Sequence, residues 1–165
     1  MLEAAARFLE VRSRSVEEVR RRLTSAGYRP DLVEGAIERL SEFGILDDDV
    51  FARAWVESRD RARPRGERAI RQELARKGVD RATVDLVLGE RREAFAGIPT
   101  DDGVAVSPDG AAAERLLTRH ARNLARVADP RQRRQRAYAL LARHGFDPET
   151  CRDATAQFLV DADDD

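Results

Sequence analysis

The chain has 165 residues, of which 42% are apolar, 37% charged and 5% aromatic, with a formal net charge of −1. Its single cysteine, Cys151, excludes an intrachain disulfide, and no run of about 18 apolar residues predicts a membrane span. The first residues lack the apolar core of a signal peptide. We therefore expect a soluble, cytoplasmic protein with little β-structure.

The charges are segregated along the chain. Residues 31–50 carry seven acids and one base, residues 51–77 carry nine bases and four acids, and residues 115–143 carry nine Arg and one Asp. Every base except Lys77 is Arg, which either GC-rich codon usage or selection for guanidinium chemistry explains. Because the basic residues are clustered locally, the small total charge does not exclude a polyanionic partner.

Helical periodicity dominates from the first residues onward. The pattern predicts a helix over Leu2–Arg12 and a second one opened by the capping box Ser15–Glu18. Gly27 is expected to end the second helix in a left-handed conformation. Pro30 then starts a third helix that ends at Gly44.

A second group of helices follows the acidic run 47–49, which favours a helix N-terminus through the helix dipole. The Pro-Arg-Gly segment at 64–66 interrupts the helical pattern. A helix then runs to Gly78, and Asp80 caps the next one. In the first helix of this group the predicted apolar stripe consists of Phe51, Ala54, Trp55 and Ser58.

The segment from Gly97 to Gly110 is rich in Pro, Gly and Asp and is interpreted as a linker. Ser107-Pro108 or Asp109 starts the following helix. Asp129-Pro130 and Asp147-Pro148 each pair a capping Asp with Pro at the first helical position, and so predict the last two helices.

Alignment on Gly27, Gly78 and Gly145 places nine helices in three groups of three. The predicted fold is all-α: three tandem helix-turn-helix-like repeats over residues 1–45, 46–96 and 110–160, with a linker at 97–109 and an acidic tail at 161–165. Such small units stack on their neighbours, so an elongated, curved array is expected. A single nine-helix globule is the alternative.

No catalytic constellation is evident. His120, His144 and Cys151 lack metal-ligand spacing, and no glycine-rich phosphate loop occurs. Helix capping explains the acidic run 47–49 more simply than a cation site does. Cys151 aligns with Val33 and Val84 and is expected in the core. We predict no enzyme activity, no cofactor and no metal.

The arginine clusters are the remaining functional signal, because guanidinium groups bind phosphates and carboxylates in bidentate geometry. The loop at 64–66 and the following helix N-terminus would add backbone N–H groups for phosphate. The alternative is a solvated face balanced locally by Glu57, Asp60, Glu67 and Glu73. The candidate partner- or DNA-binding residues are Arg53, Arg59, Arg61, Arg63, Arg65, Arg68, Arg71, Arg76, Lys77, Arg131, Arg133, Arg134 and Arg136.

Residues 51–59 and 70–79, read with the Gly44–Asp48 run that leads into Phe51, resemble the central repeat of the RecX family. Members of this family are bacterial regulators of the RecA recombinase. The resemblance covers residues 7 to about 92 closely and 130–158 more loosely.

The resemblance implies a non-catalytic modulator that acts in homologous recombination, DNA repair and the SOS response. It would bind the RecA–DNA filament, limit filament growth, and suppress ATP hydrolysis, strand exchange and coprotease activity. The bases within the matching motif are Arg53, Arg59, Arg65, Arg68, Arg71, Arg76 and Lys77. A monomer is expected, with DNA contacted directly or within the filament, and no membrane partner. The alternative is a stand-alone helical nucleic-acid-binding module.

Overall fold

The computed structural model describes residues 13–96 and 107–163, with side chains described up to residue 160. These residues form helices and connecting turns and contain no β-strand. The predicted helix Leu2–Arg12 lies outside the described residues. The helices are α1 (Val16–Ser25), α2 (Pro30–Glu42), α3 (Asp48–Ala62), α4 (Glu67–Arg76), α5 (Arg81–Ala96), α6 (Pro108–Ala125), α7 (Pro130–Arg143) and α8 (Pro148–Asp163).

Local sequence signals set most of the helix ends. The Ser15 hydroxyl accepts from the Glu18 N–H while the Glu18 carboxylate accepts from the Ser15 N–H, which confirms the predicted capping box. Gly27, Gly78 and Gly145 follow α1, α4 and α7 with φ of 85°, 81° and 81°. These are left-handed values that favour glycine, so the predicted helix stops are confirmed.

The chain divides into two compact units. The first contains the residues up to Trp55 together with Glu73–Val87. Here α1 packs on α2, and the apolar residue after the helix stop, Tyr28, covers one side of the core. The buried core of α1, α2 and the turn after them consists of Val19, Leu23, Val33, Ala36, Ile37, Leu40 and Leu46.

The second unit contains Val56–Gln72 together with the residues from Leu88 onward. Helices α6, α7 and α8 pack on one another, and Cys151 is a fully buried free thiol, as expected from its alignment with Val33 and Val84. The buried core of these helices consists of Ala112, Ala113, Leu116, Leu117, Leu124, Ala137, Leu140, Leu141, Phe146 and Cys151.

The apolar stripe predicted for α3 is partly wrong. Phe51 is buried and Trp55 half-buried, but Ala54 and Ser58 are exposed. Ala52 and Val56 are buried in their place. The buried side therefore follows the i, i+4 pairs 51/55 and 52/56, because Val56 gains more from burial than the small side chains at 54 and 58.

The acidic run at the start of α3 serves three different helices. Only Asp47 caps its own helix, by accepting from the N–H groups of residues 49 and 50. Asp48 accepts from the Val16 N–H at the start of α1, at 2.9 Å, and Asp49 accepts from the Thr83 hydroxyl of α5. Capping of α3 thus explains one of the three carboxylates, and packing of neighbouring helices explains the other two.

The second unit contains an equivalent contact. Asp109, in the first turn of α6, accepts from the Glu67 N–H at the start of α4, also at 2.9 Å. Ser107 caps α6, so this helix begins at Pro108, within the segment interpreted as linker. In both cases an Asp from the first helix of one repeat caps the second helix of the preceding repeat.

Candidate partner-binding surface

The N-terminal half of α7 carries a cluster of arginines that lacks acidic partners within the described residues. Asp129 caps the helix and Pro130 occupies its first position, as predicted. The C-terminal half packs into the core through Ala137 and Leu140, which leaves the first two turns in solvent. We define the α7 arginine cluster as the exposed Arg131, Arg134 and Arg136, which form no ion pair with any residue of the described ranges.

The geometry of this cluster suits an anionic partner. Arg131 and Arg134 are three residues apart and therefore lie on one side of the helix, whereas Arg136 points to another side. The positive end of the helix dipole lies at the same end and adds to their field. Arg133 differs from the other three because it is half-buried and its Nε donates to the Val127 carbonyl at 3.2 Å.

The candidates of the central repeat fall into both units. Arg53, Arg76 and Lys77 belong to the first unit, where Arg53 and Arg76 are exposed. The Lys77 ammonium donates to Glu18 at 2.8 Å and lies 4.3 Å from the centre of the Trp55 ring. This lysine is therefore held by an ion pair and a cation–π contact inside the unit.

The remaining central candidates belong to the second unit. Arg61 pairs with Glu57, and Arg71 pairs with Glu67 at 3.3 Å. These two contacts agree with the locally balanced face that was the alternative to binding. Arg63 and Arg68 are exposed, whereas Arg59 and Arg65 are half-buried.

The other two acids proposed as local partners contact side chains of other helices. The Asp60 carboxylate binds Arg91 of α5, and the Glu73 carboxylate accepts from the Trp55 indole N–H at 2.8 Å. Each contact joins two helices within a single unit, the second unit for Asp60 and the first unit for Glu73. Sequence spacing within a helix could not predict them.

The prediction that backbone N–H groups at the start of α4 bind phosphate is wrong. The Gly66 N–H donates to the His144 carbonyl at 3.1 Å, and the Glu67 N–H donates to Asp109. Gly66 itself is buried. Because these N–H groups already have partners within the second unit, they cannot hold a phosphate.

A cleft of about 340 Å³ lies beside this helix start, within the second unit. Glu67 takes two hydrogen bonds from Arg92 and one from Arg71, so the charge of those arginines is compensated there. The lining residues are Glu67, Arg68, Arg71, Arg92, Ser107, Pro108, Asp109, Asp147 and Thr150. Three arginines thus face three carboxylates, and the cleft favours no anion.

The half-buried His144 and the buried Cys151 of the second unit carry perturbed pKa values. Burial lowers the pKa of His144 below its ordinary 6.5, and the positive charges of Arg65, His120 and Arg143 lower it further, against the hydrogen bond to the Leu140 carbonyl. Burial also raises the pKa of the Cys151 thiol. Across the described residues, no group of three His, Cys, Asp or Glu side chains is placed to hold a metal ion.

Sequence reasoning missed two arginines that bind other helices of the second unit. Arg91 is buried and binds both Asp60 and Asp109, although it lies outside the basic clusters at 51–77 and 115–143. Arg119 of α6 donates to the Ala62 carbonyl at 2.8 Å and so caps the C-terminus of α3. A lone Arg on an otherwise apolar helix side was the available signal for Arg91.

Comparison with known families decides the identity. Models of the first, second and third three-helix domains of RecX match residues 2–40, 47–88 and 109–155, in that order. The chain belongs to the RecX family. The three-repeat organisation expected from the glycine alignment agrees with the order of these three RecX domains.

Individual relatives agree with this assignment. The regulatory protein RecX of Mycobacterium tuberculosis is 31% identical over 143 residues, which are 85% of this chain and 75% of that protein. The regulatory protein RecX of Mycolicibacterium smegmatis is 34% identical over 114 residues, 58% of this chain and 61% of that protein. A crystal structure of RecX from Lactobacillus salivarius has the same fold, with a TM-score of 0.71 and 19% identity, covering 96% of this chain and 94% of that chain.

RecX proteins are thus regulatory proteins by name, and this chain shares their fold. None of the helices within residues 13–96 and 107–163 combines the length and the apolar character that a bilayer crossing requires.

Proposed function

We propose that this protein is a non-catalytic modulator of the RecA recombinase. It binds the RecA–DNA filament and limits filament growth, ATP hydrolysis, strand exchange and coprotease activity. This partner places the protein in the bacterial cytoplasm. Membership of the RecX family supports the regulatory role, and the resemblance of the central repeat supplies RecA as the target.

The observation that carries the proposal is the α7 arginine cluster, Arg131, Arg134 and Arg136. These side chains are exposed and uncompensated among the described residues, whereas Arg61, Arg71 and Lys77 of the central repeat are paired internally. Exposed guanidinium groups with free donors bind phosphates or carboxylates in bidentate geometry. The cluster therefore supports a contact with the DNA of the filament or with an acidic face of its protein.

The same cluster supports a second candidate function, a stand-alone nucleic-acid-binding module. In that case the affinity for DNA without RecA would fall steeply with salt. Since Arg131 and Arg134 share one side of the helix, neutralising both would reduce the salt slope on duplex DNA by about two. Fluorescence anisotropy on single- and double-stranded DNA measures this directly.

The decisive experiment is the DNA-dependent ATPase of RecA with increasing amounts of this protein. We expect stoichiometric protein to lower the rate at low salt. The variant Arg131→Gln/Arg134→Gln/Arg136→Gln should require at least tenfold more protein for the same inhibition, because the charge contacts of Arg131 and Arg134 are lost together with the charge of Arg136. Electron microscopy of the filaments would report growth in the same samples.

The matched control removes three exposed arginines from the first unit instead. Arg29→Gln/Arg39→Gln/Arg81→Gln changes the net charge by the same amount and should inhibit as the wild-type protein does. An unchanged ATPase rate with wild-type protein would overturn RecA modulation. Tight DNA binding in the absence of RecA would favour the stand-alone module.

A further inference from the structure

The second helix of one repeat begins against the end of the second helix of the next repeat. In the first unit, the Ser15 hydroxyl at the start of α1 donates to the Lys77 carbonyl at the end of α4, at 2.6 Å. A Cβ at Gly78 would lie 2.3 Å from the Glu17 Cβ of α1. The glycine is thus required both for its left-handed backbone and for the close approach of α1.

The second unit repeats this contact between α4 and α7. The Gly66 N–H at the start of α4 donates to the His144 carbonyl at 3.1 Å. A Cβ at Gly145 would lie 2.4 Å from the Ala69 Cβ of α4. In both units, therefore, the carbonyl before the helix-stop glycine accepts a hydrogen bond from a helix start, and a side chain of that helix lies against the glycine.

The third end of this kind, at the C-terminus of α1, has no such neighbour within residues 13–96 and 107–163. The Tyr28 N–H donates to the Leu23 carbonyl. The N–H groups of Val79 and Phe146, after the other two glycines, donate to the equivalent leucine carbonyls. Yet no described residue lies within 4 Å of the Cβ position at Gly27. Tyr28 is half-buried, whereas its counterparts Val79 and Phe146 are 5% and 2% exposed.

We propose that the open end Ala26–Tyr28 is a docking site for the first turn of an α-helix from a partner protein. The two occupied ends define the chemistry of this partner. Its helix begins with a small residue, Ser or Gly, that offers one hydrogen-bond donor to the Ala26 carbonyl, and its first turn lies directly against Gly27. This site goes beyond the proposed function, since it requires neither RecA nor DNA.

The helices of a second copy that correspond to α1 and α4 do not fit the site. The starts of α1 and α4 are already taken within their own units. The remaining helix of this class, α7, has 14 residues where α1 and α4 have 10 each. Arg133 lies twelve residues before the glycine that follows α7. Ser15 and Gly66 lie at the same distance before the glycines that follow α1 and α4. An extra turn and a bulky arginine therefore replace the small residue that the contact needs.

The test uses the full chain and a synthetic peptide that copies residues 64–77, held helical by a side-chain lactam. This peptide contains the start of α4, which occupies the equivalent end at Gly145. Titration followed by NMR should shift the amide signals of residues 26–28 saturably. An apparent Kd on the order of 1 mM is expected, because a single helical turn buries little area.

Two changes challenge the geometry. Gly27→Asn tolerates the left-handed backbone but adds a Cβ where the occupant must lie, and should weaken peptide binding at least tenfold. Gly44→Asn is the matched control, since Gly44 also has positive φ and open space around it, and should leave binding unchanged. A peptide with Gly66→Val should not bind.

Three results would overturn the proposal. The first is the absence of saturable shifts at residues 26–28. The second is peptide binding that survives Gly27→Asn. The third is a concentration-dependent association of the protein, seen by sedimentation and lost in Gly27→Asn, which would make a second copy the occupant.

Discussion

The guanidinium of Arg91 and the carboxylate of Asp60 form a bidentate pair, with Nε and Nη2 donating at 3.0 and 2.7 Å. Nη1 donates to Asp109 at 2.6 Å. Although burial opposes the charge, hydrogen bonds to these two carboxylates raise the pKa of Arg91. One buried arginine therefore connects α3, α5 and α6 within the second unit.

Replacing Arg91 with Met should cost about 3–5 kcal/mol of unfolding free energy, because Asp60 and Asp109 would be left without their buried counter-ion. Urea unfolding followed by circular dichroism measures the change. The control Arg92→Met removes a neighbouring arginine that is 53% exposed and pairs with Glu67, and should cost at most about 1 kcal/mol. Equal losses in both variants would contradict a special role for Arg91.

Gly66 should not tolerate even one added carbon. A Cβ there would lie 2.3 Å from the Gly145 carbonyl oxygen and 2.5 Å from the Phe146 Cα, and these backbone atoms cannot rotate away. We expect Gly66→Ala to lose about 1–3 kcal/mol. Gly35→Ala, in the open middle of α2, should instead gain about 0.5–1 kcal/mol from helix propensity. Thermal melts of the two variants should thus shift in opposite directions.

Two serine caps should differ in their contribution. The fully buried Ser15 hydroxyl accepts from the Glu18 N–H and donates to the Lys77 carbonyl. Ser15→Ala removes both contacts, and should cost about 2–3 kcal/mol. Among the described residues, the exposed Ser107 accepts only from the Gly110 N–H, so Ser107→Ala should cost about 1 kcal/mol. Chemical denaturation would rank them, and the reverse order would refute the interhelix role of Ser15.

Stability should fall below about pH 6.5 because of His144. Burial lowers the pKa of this side chain in the folded state, so the unfolded chain binds a proton that the folded chain excludes. The contribution is complete above the ordinary value of 6.5 and is lost as the pH falls towards the folded pKa. Urea midpoints at about pH 7 and about pH 5 measure this.

The variant His144→Gln should flatten the pH dependence between those two values. His120→Gln removes the other histidine and serves as the control, which should keep most of the slope. If the pH dependence survives in His144→Gln but disappears in His120→Gln, the assignment of the effect to His144 is wrong.

The local sequence was sufficient to predict the helices of the described residues and most of their ends. Ser15, Pro30 and Gly27 act through backbone conformation and hydrogen bonds within a few residues, so their signals are present in the sequence itself. The glycine alignment also placed Val33, Val84 and Cys151 in equivalent buried positions, because tandem repeats preserve register.

Contacts between repeats were not predictable in the same way. Asp48 and Asp109 look like ordinary helix-capping residues, yet each caps a helix of the preceding repeat. The position of a carboxylate in the chain does not reveal which distant N–H it meets. For the same reason the arginines of the candidate surface could be listed from the sequence, but their internal partners, such as Glu18 for Lys77, could not.

The sole tryptophan, Trp55, is held in the first unit by the Glu73 carboxylate on its indole N–H and by the Lys77 ammonium over its ring. Its emission therefore reports the loss of these contacts of the first unit, whereas far-ultraviolet circular dichroism averages every helix. Recorded on one sample, coincident transitions from the two probes would mean that the chain melts cooperatively, and separated transitions would reveal a partly folded intermediate.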